Sequence, residues 1–193
     1  MEGGEILKKV FVFIAIISLL FVGCKKENDG LSRVLQFRQR LIQSQGCSFH
    51  ATIEADYGEN VYRFSMACKG DVKGNLSFQV TAPESISGIT GTFDARGGRL
   101  TFQDEVLSFP TLADGALSPV SGAWILLNTL MDGYISTVGA EGDLLRATIY
   151  EGYEDDSIQV EVWFSETGVP VRGEILWEGR SVLSIAVESF EFL

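Results

Sequence analysis

The residues able to do chemistry in this chain are few: three cysteines, Cys24, Cys47 and Cys68, a single histidine, His50, and an abundance of acids. His50 falls on the polar side of an alternating stretch beside Thr52 and Glu54, with no second histidine and no G-x-S-x-G motif near it. That reads as a surface residue. The acidic run Glu151-Gly152-Tyr153-Glu154-Asp155-Asp156 supplies oxygens of the kind calcium favours, but it lacks the D-x-D-x-D-G spacing and reads as a solvated turn. Carboxylate pairs are plentiful, yet the inward positions where a buried acid would gain a raised pKa are nearly all apolar. No catalytic residue, metal site or cofactor is expected.

Cys24 has a different setting. Lys8 and Lys9 precede an unbroken apolar run, Val10–Val22, which is too short for a spanning helix of about 20 residues and fits the h-region of a secretory signal. An uncleaved anchor is the alternative. The ending Leu20-Phe21-Val22-Gly23-Cys24 resembles the lipobox of bacterial lipoproteins, with Phe21 where leucine is usual. That resemblance implies cleavage before Cys24, a diacylglycerol (palmitate-bearing) anchor on its sulfur, and a place on the outer face of the cell membrane, or on an outer membrane in a diderm host. The expected organisation is therefore a signal peptide over 1–23, a lipidated tether over 24–30 and one domain over 31–193. Removing residues 1–23 from the 193 leaves 170, enough for one domain with a sizeable core. The formal charge of −11 repels phosphate backbones, and no basic patch offsets it, so nucleic acid is not an expected partner. Lys25-Lys26 would strengthen the tether on an anionic leaflet by about 1 kcal/mol per lysine.

The elements that must position these residues follow from periodicity. Leu31, Val34, Leu35, Leu41 and Ile42 recur at helical spacing and predict an amphipathic helix ended at Gly46. From Cys47 the period becomes two. Phe49, Ala51, Ile53 and Ala55 share a face, and after a turn at Tyr57-Gly58 the face continues through Tyr62, Phe64 and Met66. A two-residue turn there sets Ile53 opposite Tyr62, Phe49 opposite Met66, and Cys47 opposite Cys68. In an exported chain this register predicts a cross-strand disulfide, with two reduced thiols packed as small apolar groups as the alternative.

Alternation repeats over Asn75–Thr81, Ser87–Phe93, Leu100–Phe102 and Val106–Phe109, which makes six strands in meander order and an antiparallel sheet. Ser118 as N-cap and Pro119 in the first turn then open a helix whose Val120, Ala123, Trp124, Leu127, Leu130 and Met131 make it apolar over most of its circumference. Such a helix must be buried, most simply in the hollow of a curved sheet. Five more strands follow, Tyr134–Val138, Leu144–Tyr150, Ser157–Ser165, Val169–Trp177 and Val182–Phe192, giving about eleven strands and two helices.

This order, closed by Val187-Glu188-Ser189-Phe190-Glu191-Phe192, resembles the LolA/LolB/LppX-like lipoprotein superfamily. Phrases such as Asp56-Tyr57-Gly58-Glu59-Asn60-Val61-Tyr62 and Thr81-Ala82-Pro83-Glu84-Ser85-Ile86 look like its Gram-positive, Firmicute-type branch, which includes a spore-germination lipoprotein. The resemblance implies a mainly β fold, an incomplete, strongly curved antiparallel barrel around an apolar helix, and a lipid-sized cavity. The inward residues Phe49, Ile53, Tyr62, Phe64, Met66, Phe78, Val80, Phe93, Phe102, Trp124, Leu127, Val160 and Val162 are the candidate walls, with Ala51, Ala55, Gly88 or Gly91, and Gly173 small enough to leave room. A hollow filled by Trp124 and Leu127 is the alternative. Two non-enzymatic functions follow as expectations: binding a lipid or acyl chain in that cavity, or holding an envelope or spore-cortex enzyme such as an amidase.

Overall fold

The computed structural model describes residues 25–56, 58–102, 105–106, 117–152 and 158–193, except the side chains of 25–28, 102, 105 and 106. The signal segment with Cys24, most of the acidic run after Gly152, and the end of the sixth strand beyond Val106 lie outside the described residues.

Helix α1 spans Lys25–Gln43 and turns Val34, Phe37 and Leu41 into the core. It begins six residues earlier than its apolar spacing predicts, so Gly30, read as part of a polar spacer, lies inside a helix. Space explains its identity. A Cβ at Gly30 would meet Leu145 Cδ1 at 3.1 Å and Val138 Cγ1 at 3.2 Å, so glycine lets the helix rest directly on the strands below. Ser44 ends α1 by donating its hydroxyl to the Leu41 carbonyl at 2.8 Å.

Among the described residues eleven strands follow: β1 (Gly46–Asp56), β2 (Val61–Asp71), β3 (Leu76–Ala82), β4 (Thr90–Asp94), β5 (Gly97–Phe102), β6 (Glu105–Val106), β7 (Tyr134–Glu141), β8 (Leu144–Glu151), β9 (Ile158–Phe164), β10 (Pro170–Trp177) and β11 (Arg180–Phe192). They form one antiparallel sheet in the order β6-β5-β4-β3-β2-β1-β11-β10-β9-β8-β7. The sheet is open, since β6 and β7 are its two ends. Two meanders, one before and one after the second helix, are joined where β11 pairs with β1, Ile53 opposite Ile185.

Between them, a 3₁₀ turn over Pro119–Ser121 leads into α2 (Gly122–Asp132). Ser121 donates its hydroxyl to the Ser118 carbonyl at 2.7 Å and fixes that entry. The exit is held from α1. Arg38 donates to the carbonyls of Leu130 and Gly133 at 2.8 Å each, supplying partners that the last turn of α2 cannot find within itself.

Helix α2 touches both halves of the sheet. Trp124 stacks on Phe93 of β4, ring centroids 6.0 Å apart, and a Cβ on Gly133 would lie 2.7 Å from Ile149 of β8. In a flat sheet those strands would stand about 34 Å apart, at about 4.8 Å per spacing. An eleven-residue helix is only about 16 Å long, so the sheet bends toward it.

Candidate binding surfaces

The inward residues singled out from alternation are brought together, as one packed core. Phe49, Ile53, Phe64, Met66, Phe78, Val80, Phe93, Leu127, Val160 and Val162 all belong to it, with Trp124 packed against its border. Tyr62 does not: it is 54% exposed. It shares a face with Phe64, but β3 stops opposite Ser65, so the end of the β1–β2 hairpin projects past that neighbour. The side chain of Phe102 lies outside the described residues.

Of the positions expected to leave room, Gly88 is exposed with open space beside it, whereas Gly173 is filled from α2 and Gly91 by its neighbour on β3. Leu126 Cδ1 stands 3.0 Å from where a Cβ of Gly173 would be, and Phe78 Cζ 2.5 Å from that of Gly91. Ala51 and Ala55 are covered as well. Between α2 and the sheet, the pocket bounded by Phe49, Leu126, Leu127, Leu130, Pro170, Val187 and Phe190 measures about 10 Å³, room for about one water. Polar contacts lock the helix in place: Trp124 Nε1 donates to the Gly74 carbonyl at 2.9 Å, and Asn128 Nδ2 to the same carbonyl at 3.4 Å.

The β1–β2 register differs from the expected one by two residues. The hairpin closes at Asp56↔Val61, so Cys68 faces Phe49 and Cys47 faces Gly70. The predicted face-to-face cysteines thus become diagonal neighbours, a spacing of about 7–8 Å between Cα atoms that exceeds ordinary disulfide reach. Both are free, buried thiols in this structure. Burial pushes the Cys47 thiol up to about 11, against a smaller opposing pull from its hydrogen bond with the Gly70 backbone. Cys68 is pushed higher still, first by burial and then by Cys47.

The outer side of the sheet holds what sequence reasoning missed. On β8, β9 and β10 the register places Arg146 and Arg172 beside Trp163, and Thr148 and Glu174 beside Glu161. Trp163 and Glu161 are 4% and 2% exposed, although both point away from the core. Guanidinium groups flank the indole, Arg172 at 4.4 Å and Arg146 at 5.5 Å from its centroid. The Glu161 carboxylate accepts hydrogen bonds from Arg146 Nε at 2.8 Å, Gln159 Nε2 at 2.7 Å and Thr148 Oγ1 at 3.0 Å. Trp163 Nε1 is buried with no hydrogen-bond partner among the described residues. The signal was present in the sequence as Gln159-x-Glu161-x-Trp163 on the outward parity, but its partners emerge only once the register is known.

A second feature of the outer side is a groove of about 680 Å³ over β2–β5, lined by Lys69, Ser77, Gln79, Thr90, Thr92 and Arg99 among others. Thr90 and Thr101 share a hydrogen bond at 3.0 Å along its floor. His50 lies on β1, exposed. Among the described residues no three His, Cys, Asp or Glu side chains converge to hold a metal, and no helix is long and apolar enough to cross a membrane.

No family model matches this chain, and no curated protein matches it. Solved structures do. A LolA superfamily protein from Nitrosomonas europaea is 10% identical over 85% of this chain and 93% of its own, with a TM-score of 0.44. The lipoprotein LppX of Mycobacterium tuberculosis is 11% identical over 84% and 95%, with a TM-score of 0.39. The structure of the CwlD amidase from Clostridioides difficile in complex with the GerS lipoprotein is matched at 13% identity over 82% and 93%, with a TM-score of 0.42.

Proposed function

We propose that the protein is a non-catalytic lipoprotein, tethered through Cys24 outside the cell, that works as a protein-interaction module. Its sheet is an incomplete barrel whose hollow is occupied by α2, and its outer face engages an envelope enzyme, an amidase being the first class to test. The observation that supports this over ligand carriage is volume. The pocket bounded by Phe49, Leu126, Leu127 and Leu130 under α2 is about 10 Å³, whereas small-molecule sites run to about 300–1,000 Å³. The groove over β2–β5, at about 680 Å³, lies on the opposite side of the sheet. Carriage of an acyl chain inside would require α2 to leave its seat and break the Trp124 and Arg38 hydrogen bonds.

Two measurements separate the readings. Native mass spectrometry of the purified mature protein is expected to show no co-purifying acyl lipid, and a photocrosslinker at Thr92 is expected to trap an envelope enzyme while one at Ser48 does not. A stoichiometric bound lipid would overturn the interaction reading in favour of carriage.

A further inference from the structure

The groove over β2–β5 has a floor of two cross-strand rows. Register sets Lys69, Ser77, Thr92 and Arg99 side by side across the four strands. Ala67, Gln79, Thr90 and Thr101 make the parallel row beside them. Cys68, Phe78 and Gly91 belong to the inward parity, so the outward floor is built of short polar groups between two long cations.

Charge marks this part of the outer side off from the rest. Among the described residues no acid lines the groove, in a chain whose net charge is −11. Outward acids stand on other strands instead: Glu54 on β1, Glu188 and Glu191 on β11, Glu174 on β10 and Glu161 on β9. Asp71 and Asp94 end β2 and β4 just past the Lys69 row. Each is bound inside its own turn, Asp71 by the Asn75 side chain at 2.8 Å and Asp94 by Arg96 at 2.7 Å. Arg96, Arg146, Arg172 and Arg180 all pair with carboxylates, whereas the exposed Lys69 and Arg99 pair with none among the described residues.

Spacing narrows the partner further. Lys69 and Arg99 lie three strand spacings apart, about 14 Å at about 4.8 Å each. In an extended segment laid across the strands, side chains four residues apart point the same way and stand about 13 Å apart. Nine residues of helix rise about 13.5 Å but turn the second side chain to the opposite face. We infer that the groove takes an extended acidic segment of the partner protein, with two carboxylates four residues apart, one on Lys69 and one on Arg99. The side chain midway between them lies over Ser77 and Thr92. This rests on the interaction reading and specifies the surface the partner brings. Arg99 can hold its carboxylate bidentately, and the acids on the other strands repel the segment from alternative seats. Beyond about 8 Å at physiological salt the chain's overall negative charge is screened, so these local pairs decide where the segment lies.

The test titrates the mature protein with a threonine-rich peptide carrying glutamates four residues apart and follows backbone amide shifts by NMR. Ser77, Thr92 and Arg99 are expected to shift. Lys69→Glu with Arg99→Glu should weaken binding at least fivefold at an unchanged melting temperature, and Lys69→Gln with Arg99→Gln repeats the test should the first pair unfold the protein. Placing the glutamates two residues apart, or replacing them with lysines, should weaken binding at least fivefold as well. Equal binding by the charge-altered protein, by the closer spacing or by the lysine peptide overturns the inference. So does tighter binding of an alanine-rich helical peptide of the same charge, or the absence of any shift in the groove. Failure of the interaction reading shows separately. If a crosslinker at Thr92 traps no envelope enzyme while the peptide binds as expected, that reading fails and the acidic-segment site stands. If wild-type protein traps an enzyme and the charge-altered protein traps it equally, the reading stands and the site fails.

Discussion

Arg146 Nε stands 2.8 Å from Glu161 Oε2 on the side of the sheet turned away from both helices, and Glu161 there is almost wholly shielded from water. A shielded carboxylate needs donors more than it needs a counter-charge alone. Arg146→Ala leaves Thr148 and Gln159 in place, and Arg146 is itself about half exposed, so the expected loss is about 1.5–3 kcal/mol, nearer the lower end. Urea unfolding of Arg146→Ala, Glu161→Gln and the double variant checks it. Strictly additive losses would show that the two groups are not coupled.

Helix α2 fills its seat closely enough that both removal and addition of atoms should register. Leu127→Ala is expected to cost about 2–5 kcal/mol by leaving a hole. Gly70→Ala should cost about 1–3 kcal/mol, because the added Cβ would fall 2.3 Å from Leu127 Cδ2. Combined, the two changes should cost less than their sum, since the smaller side chain at 127 makes room at 70. Thermal or urea unfolding reads all three.

The cysteines give a pH-linked expectation. Burial raises both thiols, so the neutral form is the one the fold accommodates. Their contribution to stability is complete below the ordinary thiol range and is lost as pH rises toward about 11, where Cys47 ionises in the folded state. At pH 8 the folded protein should resist iodoacetamide, and unfolded protein should react at both sites. Mass spectrometry showing a Cys47–Cys68 bridge in unreduced protein would contradict the free thiols.

Asp71 works in the opposite direction. Partial burial raises its carboxyl, but hydrogen bonds from the Asn75 side chain and from the Asn75 and Lys73 backbones outweigh that and hold it below the ordinary carboxylate range. Its contribution is therefore present above that range and lost as pH falls through the lowered value. The turn it organises carries Gly74, whose carbonyl holds the Trp124 indole, so acid titration followed by tryptophan fluorescence should show a transition that Asp71→Asn removes.

Alternation of side chains was enough to place the strands of both meanders, because a half-buried strand must show apolar groups at every second position. It could not place their register. Slipping the β1–β2 hairpin by two residues keeps every inward residue inward, so Cys68 opposite Cys47 and Cys68 opposite Phe49 are equally consistent with the pattern. The apolar helix was legible from Ala123, Trp124 and Leu127, but whether it fills the hollow depends on the reach of Leu126 and Leu127 over Gly173 and Gly70, which spacing along the chain does not encode. Glu161 and Trp163 were legible only as outward-facing. Their burial comes from Arg146 and Arg172 on separate strands.

The backbone of Leu193 bonds to Gln45 and Gly46, at 2.9 Å in both directions, and β11 seals the seam between the two meanders. The strand Arg180–Phe192 is thus the one that makes the two halves one sheet. Without that strand the two meanders share no hydrogen-bonded edge, and a truncation before Arg180 should yield two unjoined hairpin sets instead of a shortened protein.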